Sequence, residues 1–115
     1  SIEKQKSQIE YQKANLNEEK LKDAIKLELK KAMLNLETKE KILEEKIEAK
    51  NLASDILEQA KLQYKNQLIS MTTLLQQEAN YRKNEALLIN ARYEKSLALA
   101  SLNLVLGKNI KEENN

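Results

Sequence analysis

The chain has 115 residues with Gly 1, Pro 0, Cys 0, Phe 0 and Trp 0, so it holds one domain at most and little bulky material for a thick core. Its 20 basic and 18 acidic residues interleave to a net charge of +2, which excludes the basic face or run that nucleic-acid binding requires. Sheet-rich topologies are excluded too, because their turns draw on Gly and Pro, and hydrophobics at 41% are too many for a disordered polyelectrolyte. Leu, Lys, Glu, Ala and Gln dominate, all of them strong helix formers, so the chain reads as all-α.

The first residues carry a thin pattern, with Ile2, Ile9 and Leu16 at heptad spacing among Lys, Gln and Asn, and are expected to be the least secure part. From Leu21 the apolar residues step by three and four: Leu21, Ile25, Leu29, Ala32 and Leu36, then Leu43, Ile47, Leu57 and Tyr64. This is the stripe of a coiled-coil helix. A second stripe runs through Leu27, Leu34, Ala49, Leu52, Ile56 and Ala60. The far half repeats the arrangement. Met71, Leu75, Ala79, Ala86, Ile89, Tyr93, Leu97, Ala100 and Leu104 make one stripe, and Leu74, Tyr81, Leu88, Leu99, Leu102 and Leu106 make another. Two-faced helices suit either a closed ring, where each helix packs on both sides, or a four-helix association.

Between the halves lies Tyr64-Lys65-Asn66-Gln67-Leu68-Ile69-Ser70. Asn66 enters the left-handed region cheaply and Ser70 is a good N-cap, so the segment reads as a hairpin turn; the other reading is one helix running straight through. Helix 1 is thus placed at about 3–65, the tip at 66–70 and helix 2 at about 71–106. The one glycine, Gly107, follows Leu106 and is expected to be a left-handed helix end, leaving 108–115 as a polar, disordered tail. Packing is assigned to Leu36, Leu43, Ile47, Leu57, Tyr64, Leu75, Ile89, Tyr93, Leu97 and Leu104. A charge at Leu75 is then expected to enter the seam and break the hairpin.

The residues that carry chemistry are missing. With no His and no Cys there is no usual general base, zinc ligand or thiol nucleophile, and one Gly forbids a phosphate loop. Carboxylates such as Glu44, Glu45 and Glu48 alternate with lysines as on a solvated helix face, not as a buried catalytic pair. Tyr11, Tyr64, Tyr81 and Tyr93 are too far apart to stack bases. The chain is therefore expected to be no enzyme, to hold no cofactor or metal and to bind no nucleic acid. Its longest apolar run, Leu97 to Leu106, is broken by Ser101 and Asn103, so this segment does not itself span a membrane.

Ala53-Ser54-Asp55-Ile56-Leu57-Glu58-Gln59-Ala60-Lys61-Leu62-Gln63-Tyr64, then Leu68-Ile69-Ser70 and Leu74-Leu75, resembles the helical repeat of the TolC-like outer-membrane efflux proteins. In that family an Ala-rich helix ends in Tyr, a short Gly-containing tip carries an Ile-Ser or similar pair, and Leu-Leu opens the return helix. Ala91-Arg92-Tyr93 with Leu97, Ala100, Leu104 and Leu106-Gly107 looks like that return helix. The resemblance covers Leu21 to Gly107.

It implies a long antiparallel helical hairpin, a coiled coil from a periplasmic α-barrel, and hence a fragment of a longer protein, since the strands of an outer-membrane barrel are not in this sequence. The implied function is passive: a tunnel segment of an outer-membrane channel in tripartite multidrug efflux or type I secretion. The implied location is the periplasmic portion of a cell outer membrane protein. The implied partners are two further copies in a homotrimer, an inner-membrane pump and a periplasmic adaptor (membrane fusion) protein docking at Asn66, Gln67, Leu68, Ile69 and Ser70. The family's tip glycine falls at Gln67, so the turn is expected to shift toward Asn66 or to differ in shape. Thr73 and Gln76 fall at tunnel-entrance positions where some members carry carboxylates, so this hairpin is expected to contribute no acidic gate. A different class of function also fits the pattern, a coiled-coil scaffold or tether with no transport role.

Overall fold

A computed structural model describes residues 1–114, as two α-helices: α1, Ile2–Lys65, and α2, Met71–Glu113. No strand occurs among the described residues. No proline interrupts either helix, and each ends with a cation against its exposed carbonyls, Lys65 and Lys111. Ser1 starts α1: its Oγ accepts from the Lys4 N–H at 3.2 Å and its carbonyl from the Gln5 N–H at 3.1 Å.

Contacts divide the chain into two units. In the unit Leu36–Leu99, the last part of α1 and the first part of α2 pack as an antiparallel hairpin. The seam steps strictly by three and four: Leu36, Lys39, Leu43, Lys46, Lys50, Ala53, Leu57 and Ala60 on α1, against Leu74, Gln77, Tyr81, Asn84, Leu88, Ala91, Lys95 and Ala98 on α2. Each of these is buried or half-buried. The buried ones are Ala53, Leu57, Ala60, Leu88, Ala91 and Ala98, four of six being alanine, which lets two helix backbones approach closely. The seam lysines are half-buried, and Lys39 Nζ reaches Glu94 Oε2 across the seam at 3.7 Å.

In the other unit, Ser1–Asn35 with Ala100 onward, Ile25 and Val105 are buried. Lys108 Nζ meets Glu28 Oε1 at 3.5 Å. Every residue from Ser1 to Leu21 is exposed.

Two expectations are corrected. Gly107 does not end the helix: α2 continues to Glu113, and no glycine has positive φ. Leu106-Gly107 is followed by Lys108-Asn109-Ile110, which keep the three-and-four spacing with Asn109 and Glu112 half-buried, so the helical pattern outlasts the glycine. The tail placed at 108–115 is thus helical as far as Glu113, and its end, Asn115, lies outside the described residues.

The packing assignment is corrected as well. Leu36, Leu43 and Leu57 lie in the seam, but Ile47, Tyr64, Leu75, Ile89, Tyr93, Leu97 and Leu104 are exposed. On α2 the seam follows the other stripe, through Leu74, Tyr81 and Leu88. A charge at Leu75 would meet water and leave the hairpin intact.

Candidate functional site

Two features of the unit Leu36–Leu99 are candidates for function: the turn and the outward face of α2. The turn is built by two motifs in series. At the end of α1 the Leu68 N–H donates to the Gln63 carbonyl at 2.8 Å and the Gln67 N–H to the Tyr64 carbonyl at 2.9 Å, the paired bonds of a Schellman motif. That motif needs a left-handed residue between them, and Gln67 supplies it at φ 60°, alone among the described non-glycine residues in having positive φ. The turn has therefore not moved to Asn66, whose N–H still makes a helical bond to Leu62 at 3.1 Å.

Ser70 then caps α2. Its Oγ accepts from the Thr73 N–H at 3.1 Å, its carbonyl accepts from the Leu74 N–H at 3.1 Å, and the Ser70 and Thr73 hydroxyls lie 3.0 Å apart. Thr73 stands where a capping box would carry a carboxylate and closes the cap with a hydroxyl instead. Between the motifs Leu68 is 72% exposed and Ile69 half-buried, while Asn66, Gln67 and Ser70 are exposed. The tip thus presents an apolar side chain on a backbone held by hydrogen bonds on both sides. Thr73 is half-buried and tied to Ser70; Gln76, one turn on, is exposed.

The second feature is the outward face of α2, through Met71, Leu75, Ala79, Arg82, Ala86, Ile89, Tyr93 and Leu97. Arg82 is its one charge, and its five large apolar members are all exposed. Arg82 lies 5.8 Å from the Tyr81 ring centroid and 3.4 Å from Glu85. This face is more apolar than the seam, whose α2 side includes Gln77, Asn84 and Lys95. The hairpin thus half-buries Gln77, Asn84 and Lys95 against α1 and leaves Leu75, Ile89 and Tyr93 exposed on the far side.

Sequence reasoning missed Ala53, Ala91, Ala98 and Val105 as packing residues, because alanine and a single valine weigh little against leucine. The available signal was size: Ala91, Ala98 and Val105 recur at seven-residue intervals. Among the described residues no group of side chains could hold a metal ion, and no helix is long and apolar enough to cross a membrane. No protein-family model, curated protein or solved structure matches the chain.

Proposed function

We propose that the chain is a periplasmic helical hairpin of a TolC-like outer-membrane channel, a passive conduit for efflux or type I secretion. Adjacent hairpins of a homotrimer would line the tunnel. The tip residues Asn66 to Ser70 would meet a periplasmic adaptor that couples the channel to an inner-membrane pump.

The observation that carries this reading is the backbone at Gln67. The resemblance places a tip glycine there, a residue kept for its freedom at positive φ, and position 67 holds φ 60° with glutamine in place. The turn demanded by the motif order is thus present at the same position without the residue that makes it cheap. The apolar outward face of α2 supports it further, since a helix in a closed ring packs on two sides.

The test is made on the polypeptide translated from the complete reading frame that carries this segment, purified in detergent and placed in planar bilayers. A trimer that conducts ions steadily is expected. With Thr73 and Gln76 neutral, divalent cations should block it weakly. A soluble, non-conducting oligomer would overturn the reading in favour of a coiled-coil tether. Strong block mapped to this tip would overturn the assignment of Thr73 and Gln76.

A further inference from the structure

Opposite the seam in the unit Leu36–Leu99, α1 carries Lys41, Glu44, Glu45, Glu48, Leu52 and Asp55, all exposed. Lys41 is held by Glu37 at 3.5 Å, whereas Glu44, Glu45, Glu48 and Asp55 form no ion pair among the described residues. The outward face of α2 has no acid, and its Arg82 and the adjacent Lys83 are both exposed. Arg82 meets Glu85 of its own helix at 3.4 Å through one nitrogen, and its side chain stays 65% exposed, which leaves donors for a further acceptor. The hairpin therefore has one acidic side and one side that is apolar and basic.

The two sides match in height. Lys39 meets Glu94 at 3.7 Å across the seam. Moving 12 residues toward the turn on each helix brings Asn51 level with Arg82, so that Arg82 stands midway between Glu48 and Asp55. Ala86 and Ala79 then stand level with those two acids, and Leu52, 61% exposed, is level with the gap between the alanines. In an assembly of cyclic symmetry every copy sits at the same height, so levels within one chain are also levels across a contact.

We propose that the outward face of α2 packs on the outward face of α1 of a second copy lying alongside in the same direction. The second copy's Leu52 sits between Ala79 and Ala86, and Arg82 is shared among Glu85, the second copy's Glu48 and its Asp55. The pairing rests on the ring of like-directed hairpins in the channel reading and names the surfaces by which neighbours touch; it does not depend on conduction. Nearer the turn the second copy's Leu62 falls between Met71 and Leu75. Farther from it the second copy's Lys41 falls level with Tyr93, a cation beside an exposed aromatic face. Contact between two α1 faces would set these acids against their own kind, and contact between two α2 faces would leave them without cations. The head-to-tail contact uses both sides of each hairpin, as a ring requires.

Charge exchange on the whole chain, read by sedimentation equilibrium, tests the pairing. The wild-type chain should self-associate with rising concentration. Glu48→Lys with Asp55→Lys sets cation against cation at the contact, and Arg82→Glu with Lys83→Glu sets acid against acid. Each variant alone should associate about tenfold more weakly, or worse, at unchanged helical circular dichroism, because all four residues are exposed. Mixed together, the two variants should recover the wild-type affinity, since each then meets opposite charge on both sides. The chain has no cysteine, so the contact can also be read by disulfide capture. Chains carrying Leu52→Cys mixed with chains carrying Ala86→Cys should give the mixed disulfide in preference to either symmetric one. A wild-type chain that stays monomeric, variants that associate normally alone, a mixture without rescue, or symmetric disulfides in excess would each overturn the pairing. The channel reading fails separately: a parent that conducts as a trimer while the mixture shows no rescue sinks the pairing alone, and a non-conducting parent with full rescue sinks the channel alone.

Discussion

The two faces of α2 between Met71 and Ala98 differ in a direction opposite to what hydropathy suggests. The face against α1 carries Leu74, Gln77, Tyr81, Asn84, Leu88, Ala91, Lys95 and Ala98; the face turned away carries Met71, Leu75, Ala79, Arg82, Ala86, Ile89, Tyr93 and Leu97. The more apolar strip is outside. Within one hairpin, side-chain size and the length of aliphatic stems decide which strip goes inward: alanines bring the backbones together and lysine stems flank them. The outward strip is then available for association with other helices. Neighbouring residues show the contrast at one place in the chain, with Leu88 6% exposed and Ile89 63% exposed.

That pair gives the largest expected effect. Leu88→Asp places a carboxylate in the buried part of the seam and should cost about 3–5 kcal/mol, enough to unfold so thin a hairpin. Ile89→Asp, measured by urea unfolding at protein concentrations low enough to keep the chain monomeric, should change stability by no more than about 0.5 kcal/mol. Equal losses at both positions would mean that the seam is wider than the contacts show, and a larger loss at Ile89 would mean that the faces are reversed.

A subtler pair asks whether size does set the seam. Ala91 is 4% exposed against α1, whereas Ala86 is on the outward strip. Ala91→Leu should force the helices apart and cost about 1–3 kcal/mol, although it raises the hydropathy of the seam. Ala86→Leu in the monomer should be neutral within about 0.5 kcal/mol, both residues being good helix formers. If Ala91→Leu stabilised the hairpin instead, close backbone approach would not be what selects this face, and the ordinary hydrophobic ranking would hold.

The fold class was legible from composition alone, because a chain with one glycine, no proline and this content of leucine, lysine and glutamate has no route to sheet. The break between the helices was legible from Asn66 and Ser70, and Ser70 does cap α2. The left-handed residue was not: Gln67 has poor intrinsic access to positive φ, and it is held there by the two local backbone hydrogen bonds that close the Schellman motif, which involve no side chain and so leave no mark in the residue types. Which stripe would face α1 was hidden for a related reason. Periodicity finds that two strips exist on α2, but ranking them needs the partner's shape, here the alanines at 53 and 60 of α1.

Gly107 tests the boundary between sequence signal and structure with the smallest effect and the clearest sign. As a left-handed helix end it would resist any side chain, and Gly107→Ala would destabilise the chain by forcing positive φ on alanine. Inside a continuing helix with negative φ the opposite holds. A Cβ built at Gly107 meets nothing within 4 Å, and α2 runs six residues further to Glu113, so alanine adds no clash and removes backbone freedom from the unfolded chain. Gly107→Ala should therefore stabilise by about 0.5–1 kcal/mol, read as a higher urea midpoint at unchanged slope. The position would then behave like the outward face of α2 in the monomer, where no packed neighbour intervenes and helix propensity alone sets the response. A fall in the midpoint would return the helix end to Leu106.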